Sequence, residues 1–99
     1  MKLLLVCNAG MSTSMLVSKI ESAAKDQGID IEVAAYPLTQ AEKVIDEWDV
    51  VMLGPQVRHC LPQLQKATNI TPIEVIDMKD YGMMNGEKVY NYAKKLMDE

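Results

Sequence analysis

Residues Cys7 to Leu16 read Cys-Asn-Ala-Gly-Met-Ser-Thr-Ser-Met-Leu and follow directly on the apolar run Leu3-Leu4-Leu5-Val6. A strand of that kind delivers the Cys7 sulfur to the edge of a sheet. The small, polar turn after it opens into a helical pattern, so unpaired backbone N–H groups at the helix start converge on any anion held there. Two physical effects then favour a nucleophilic thiolate at Cys7. The positive end of the helix dipole stabilises the sulfur anion, and the N–H nest stabilises both the thiolate and a phosphoryl group bound to it. The candidate phosphate-binding residues are Asn8, Ala9, Gly10, Met11, Ser12, Thr13 and Ser14. Gly10 permits a tight turn with backbone close to a ligand, while Ser12, Thr13 and Ser14 offer caps and hydroxyl donors. The bland alternative is a small buried thiol packed at a strand end, which the polar, glycine-containing sequel disfavours.

The reaction is narrowed by what stands around the cysteine. A cysteine-dependent phosphatase with such a loop needs an arginine six residues after the nucleophile to clamp the phosphate oxygens, and a carboxylic acid to protonate the leaving group. Thr13 occupies the arginine position. Asp77 is a candidate acid with nothing in the sequence to bring it to Cys7. The loop is therefore better suited to holding a phosphoryl group and passing it on than to hydrolysing it. Gln56 is a supporting candidate whose amide can brace the loop, against the alternative of an ordinary exposed side chain. Arg58 and His59, the sole arginine and sole histidine, read as solvated by default, with contact to an incoming anion or an acidic partner the alternative for Arg58 at the start of the helix bordering the crevice. Cys60 reads as core because it recurs with Val57 and Leu64. Met11, Met15, Met83 and Met84 are either core filler or an adaptable apolar rim for docking partners.

The elements that must position these groups follow from periodicity. Leu3–Val6, continuously apolar, reads as a strand of a parallel sheet covered on both faces. Residues 13–27 switch to helical spacing with Leu16, Ile20, Ala23 and Ala24 on one stripe, and Gly28 stands where a left-handed C-terminal residue is wanted. Ile31, Val33 and Ala35 alternate as a half-buried edge strand. Thr39-Gln40-Ala41-Glu42 has the form of a capping box opening a short helix through Val44 and Ile45 toward Trp48. Asp49–Leu53 is the third strand, stopped by Gly54-Pro55. Val57, Cys60, Leu61 and Leu64 mark a helix toward Ala67, with Pro62 either early enough to be tolerated or the source of a kink. Ile73–Ile76 is the fourth strand, 77–86 a Gly- and Met-rich loop, and Val89, Tyr92, Ala93 and Leu96 the buried stripe of a last helix. Strands alternating with helices predict an α/β fold with a four-stranded parallel sheet, order 2-1-3-4, and helices on both faces. Ligands in such sheets bind at the crevice outside the carboxyl ends of the strands where the order reverses. The Cys7–Ser14 and Gly54–Arg58 segments meet there.

Composition sets the outer bounds. With 99 residues, 48% hydrophobic and 24% charged, the chain is expected to form a single domain over residues 1–99 with an ordinary core. A net charge of -4, with its cationic residues scattered, argues against a nucleic-acid partner. No apolar run approaches the ~20 residues that span a bilayer, and Leu3–Cys7 is too short for a secretion signal, so a cytoplasmic location is expected. One histidine and two cysteines without zinc spacing imply no metal site, and no cofactor is expected. A Cys7–Cys60 disulfide is disfavoured in a reducing compartment.

Cys7-Asn8-Ala9-Gly10-Met11-Ser12-Thr13-Ser14 with Met15-Leu16-Val17, then Leu53-Gly54-Pro55-Gln56-Val57, then Val75-Ile76-Asp77 and Tyr81-Gly82, occur in an order and spacing that covers essentially the whole chain. In these motifs the chain resembles the IIB component of the lactose, cellobiose and diacetylchitobiose branch of the phosphoenolpyruvate-dependent sugar phosphotransferase system. The resemblance implies that Cys7 accepts a phosphoryl group from a phosphohistidine on the IIA component and donates it to a sugar bound by the membrane permease IIC. It also implies backbone N–H groups of Asn8–Ser14 around the phosphate, Gln56 bordering the loop, and a topology shared with the low-molecular-weight tyrosine phosphatases. A cytoplasmic monomer that meets IIC transiently at the inner face of the membrane is the expectation. The rival readings are a phosphatase or arsenate reductase, and a regulatory module whose cysteine is phosphorylated as a signal. The sugar is left open between cellobiose-like β-glucosides, diacetylchitobiose and lactose.

Overall fold

A computed structural model describes residues 1–6 and 13–98, the side chains of Thr13, Ser14 and Asp98 excepted. The first apolar run forms β1 (Lys2–Val6). The amphipathic stretch after it is α1 (Thr13–Asp26), and β2 (Glu32–Tyr36) returns to pair with β1 in parallel. After α2 (Leu38–Val44) and a 3₁₀ turn, Ile45–Glu47, the chain enters β3 (Val50–Leu53) on the other side of β1. A 3₁₀ segment, Pro55–Cys60, leads into α3 (Leu61–Lys66), and β4 (Ile73–Val75) closes the sheet beside β3. Then come α4 (Met78–Gly82) and α5 (Gly86–Asp98). All pairings are parallel and the order is β2-β1-β3-β4, as predicted.

The alternation of side chains along a strand divides the core in two. Leu3, Leu5, Val50 and Met52 pack with Leu16, Ile20 and Ala24 of α1 and with Val89, Tyr90 and Ala93 of α5. Leu4, Val6, Val51 and Leu53 face the opposite way, against Ala41, Ile45, Trp48, Val57, Cys60 and Leu64. Both faces are therefore covered, and this is why β1 and β3 read as continuous apolar runs. At the edge of the sheet β2 is half-buried, as read, with Glu32 exposed; Val33 and Ala35 pack on the α1–α5 side, and Ala34 and Tyr36, which the alternation alone does not place, pack on the other.

Several expected boundaries move, each for a local reason. The Thr39–Glu42 capping box does not form: α2 begins at Leu38 behind Pro37, whose carbonyl accepts from Gln40 and Ala41, and no side chain caps it. Leu38 packs on the core, which draws the helix start back and leaves Thr39 inside the first turn. Trp48 lies outside any helix in extended backbone, edge-on to Tyr36 at 6.1 Å, with Lys2 Nζ 5.1 Å from its ring centroid. Val57 leaves helical geometry (φ -118, ψ 21), so the stretch after β3 is two short helices, and Pro62 falls in the first turn of α3, where a missing N–H costs nothing. The expected loop over 77–86 contains α4. Tyr90, not Tyr92, joins the buried stripe of α5, because Tyr92 turns outward and donates from its hydroxyl to Glu74 at 3.3 Å.

Two helix ends share one hydrogen-bonding pattern with different residues at its pivot. At the end of α1, Ile29 N–H reaches Ala24 O and Gly28 N–H reaches Lys25 O, with Gly28 left-handed at φ 73. At the end of α4, Asn85 N–H reaches Asp80 O and Met84 N–H reaches Tyr81 O, with Met84 at φ 53. Both are Schellman closures. Asn85 then caps α5 by accepting from Lys88 N–H. The next residue, Gly86, presses on α1: a Cβ there would stand 2.5 Å from the Lys19 carbonyl carbon and 2.7 Å from the Ile20 nitrogen.

These contacts separate two kinds of glycine. Gly86→Ala forces backbone against backbone and is expected to cost about 2–3 kcal/mol, because overpacked sites must shift rigid neighbours. Gly28→Ala meets no atom within 4 Å and is expected to cost only about 1 kcal/mol, for the left-handed φ alone. Denaturant melts of the two variants check the ranking. A second expectation concerns Tyr90, whose hydroxyl is buried with no hydrogen-bond partner and whose phenol is pushed above its ordinary value of 10.0 by desolvation. Tyr90→Phe removes that unsatisfied group and is expected to stabilise the fold by about 1 kcal/mol at neutral pH. Because the unfolded phenol loses its proton first, the wild type loses stability as pH rises above 10, and the gap to Tyr90→Phe widens there. Melts at pH 7 and pH 11 read both effects.

Candidate functional site

The crevice expected from the strand order is formed by the carboxyl ends of β1 and β3. Val6 and Leu53 are register partners, and beyond them Gly54 N–H donates to Val6 O at 2.9 Å. Gly54 therefore flanks the point where the chain leaves β1 for Cys7. On the far side of β3, Ile76 N–H donates to Leu53 O at 2.8 Å, which brings Asp77 and α4 to the same edge. The first turn of α1, with the backbone of Thr13 and Ser14, follows the loop. Cys7, Asn8, Ala9, Gly10, Met11 and Ser12 lie outside the described residues, and the side chains of Thr13 and Ser14 with them. The frame around the loop is what the geometry defines.

Gln56 belongs to that frame. It is exposed on the 3₁₀ segment after Gly54, and its Nε2 donates to the hydroxyl of Tyr81 on α4 at 3.1 Å. Its Oε1 lies over the bare Cα of Gly54, where a Cβ would come within 2.6 Å of it and 3.4 Å of the Tyr81 ring. Tyr81 is half-buried and packs against the α1–α5 core. The sequence motifs include Tyr81 without giving it a role, because a loop was expected at 77–86 and a loop residue has no fixed direction. The available signal was Asp77 followed by Asp80, an N-cap with an acidic first turn.

Asp77 has that structural duty. Its Oδ1 accepts from Lys79 N–H at 2.9 Å and Asp80 N–H at 3.3 Å, which starts α4. A carboxylate spent on two main-chain donors is poorly disposed to act as a general acid. Arg58 and His59 are exposed, and Cys60 is a buried free thiol in the core below them, all as expected. Met15, Met78 and Met83 are exposed, whereas Met84 is half-buried against the core. Among the described residues no group of three or more His, Cys, Asp and Glu side chains is disposed to hold a metal ion, and no helix is long and apolar enough to cross a membrane.

Residues 2–92 match the family described as PTS system, lactose/cellobiose-specific IIB subunit. The chain is 43% identical over 101 residues to the cellobiose-specific EIIB component of Lactococcus lactis subsp. lactis (strain IL1403), covering 95% of this chain and 94% of that protein. It is 41% identical over 99 residues to the oligo-beta-mannoside-specific EIIB component of Bacillus subtilis (strain 168), covering 97% and 95%. The solution structure of a cellobiose-specific phosphotransferase IIB component from Borrelia burgdorferi superposes with a TM-score of 0.82 at 46% identity, over 99% of this chain and 92% of that one. With a parallel 2-1-3-4 sheet and a match that spans it from β1 to α5, the chain belongs to the lactose/cellobiose-specific IIB family of the sugar phosphotransferase system.

Proposed function

We propose that this chain is a phosphoryl carrier in which Cys7 is the phosphorylated residue. The observation that carries the reading is the place of Cys7 in the chain of a IIB family member: it follows the last residue of β1, at the carboxyl edge where β1 and β3 run side by side. Asn8 to Ser14 then lead into α1, whose amino-terminal N–H groups have no partners within the helix and favour an anion.

In the first step the Cys7 thiolate attacks the phosphorus of a phosphohistidine on IIA. A P–S bond forms, the P–N bond breaks, and the imidazole nitrogen keeps the electron pair. In the second step a sugar hydroxyl held by the membrane component IIC attacks the same phosphorus. The P–O bond forms, the P–S bond breaks, the thiolate is restored, and the hydroxyl proton passes to a base on the IIC side. The carrier's share of the work is positioning, exclusion of water and stabilisation of charge on the equatorial oxygens, for which main-chain N–H groups of 8–14 are the main donors. Gln56 borders the loop and contributes a side-chain amide. The chain works as a monomer in the cytoplasm and meets IIC at the inner membrane face. The relatives named for cellobiose and oligo-beta-mannoside favour a β-linked oligosaccharide of the cellobiose or chitobiose type as the final acceptor. Thr13 in place of the phosphatase arginine, and Asp77 engaged as a helix cap, weigh against hydrolysis.

Incubation with phosphoenolpyruvate, the upstream carriers and a cellobiose-type IIA is expected to load one iodine-sensitive phosphoryl group per chain. Cys7→Ser should take none, and neither protein should turn over a generic aryl phosphate. A stoichiometric label that survives Cys7→Ser would overturn the site assignment.

A further inference from the structure

Resting on the carrier reading above, we propose that Tyr81 is a positioning residue for phosphoryl transfer, acting through Gln56. An amide beside a phosphoryl group helps only if it presents N–H; its carbonyl oxygen would repel the anion. An exposed glutamine rotates freely about its terminal torsion unless something selects one face. Two contacts select it here. Nε2 donates to the Tyr81 hydroxyl at 3.1 Å, and Oε1 is seated against Gly54, in the space a Cβ at that position would need. The amide nitrogen carries two hydrogens, so donation to Tyr81 leaves a second N–H on an atom whose place is fixed. That N–H is the donor for an oxygen on phosphorus.

The other end of the latch is anchored independently. Tyr81 packs on the α1–α5 core, and α4, which carries it, is capped by Asp77 at one end and closed by the Met84 turn at the other. Gly54 completes the device by lacking a side chain. Its φ of -62 and ψ of 149 suit any residue, so what it supplies is room for Gln56 Oε1. Asp77, Tyr81, Gln56 and Gly54 thus form one line of contacts from the far side of β3 to the end of β1.

The test is a double-mutant cycle on single-turnover transfer from phosphorylated cellobiose-type IIA to this chain. Tyr81→Phe keeps the ring and removes the acceptor, and is expected to slow transfer about tenfold, the scale of one hydrogen bond to a charged group, with half-saturation by IIA unchanged. In a Gln56→Ala background the same change should have no further effect, because a residue acting through another contributes nothing once that other is gone. Gly54→Ala, which displaces only the flexible end of Gln56, should slow transfer similarly while leaving the thermal midpoint close to wild type. The side-chain amide resonances of Gln56 should lose their distinct, ordered character in Tyr81→Phe, a readout that needs no partner protein. An unchanged transfer rate in Tyr81→Phe, losses that multiply in the double variant, or Gln56 amide signals indifferent to the substitution would overturn the proposal. A wild-type chain that takes no label would overturn the carrier reading itself, and this proposal with it.

Discussion

Everything at the carboxyl edge depends on the burial of two adjacent parallel strands. The hydrophobic residues Leu3 to Val6 and Val50 to Leu53 are wholly buried, with successive side chains serving opposite layers of helix. Fully burying a side chain of this size contributes roughly 1.5–3 kcal/mol, so a slip of one residue, which would exchange every side chain between unlike layers, is strongly opposed. Register in turn fixes where both strands end. The Gly54 to Val6 hydrogen bond is the last rung of that ladder, and the chain departs from it toward Cys7.

Around this rigid pair the connections are held by polar contacts that are few and specific. At the start of β3, Asp49 accepts from Lys2 N–H through its carboxylate while its own N–H donates to Lys2 O. Before β4, Thr68 bonds Asp46 and accepts from Ile70 and Thr71, and the Thr71 hydroxyl reaches the carbonyls of Ile45 and Trp48. Thr68 and Thr71 are buried, and a buried hydroxyl is tolerated because it is satisfied. Tyr90 is the exception among the described residues, buried without a hydrogen-bond partner in the α1–α5 layer of the core. Its ring fills space that the α1–α5 contact requires.

The two sides of the crevice at the carboxyl edge are built differently. On the α1 side stand main-chain N–H groups, which a helix start presents whatever the side chains are. On the β3 side stand side chains held by packing: Gln56 by Tyr81 and Gly54, Tyr81 by α4 and the core. Exposed Met15, Met78 and Met83 add adaptable apolar surface to α1 and α4.

Strand identity, sheet order and the fate of Cys60 were legible in the sequence, because each rests on a local signal: continuous apolar runs, a helical stripe, a glycine at a helix end. The signals that misled were also local. Thr39-Gln40-Ala41-Glu42 satisfies the capping pattern, yet burial of Leu38 draws the helix start behind it. Gly82, Met83 and Met84 read as loop because the left-handed pivot closing α4 is methionine, where glycine is the usual sign. The choice between Tyr90 and Tyr92 turns on where Glu74 lies, and the pairing of Gln56 with Tyr81 joins two elements on opposite sides of β4 in the chain. Periodicity reports which face of an element is apolar, so the sequence alone determined the layers and the order of the strands. Only the tertiary structure decided which side chains meet across elements, because such contacts depend on the distance and angle between bodies that are remote along the chain.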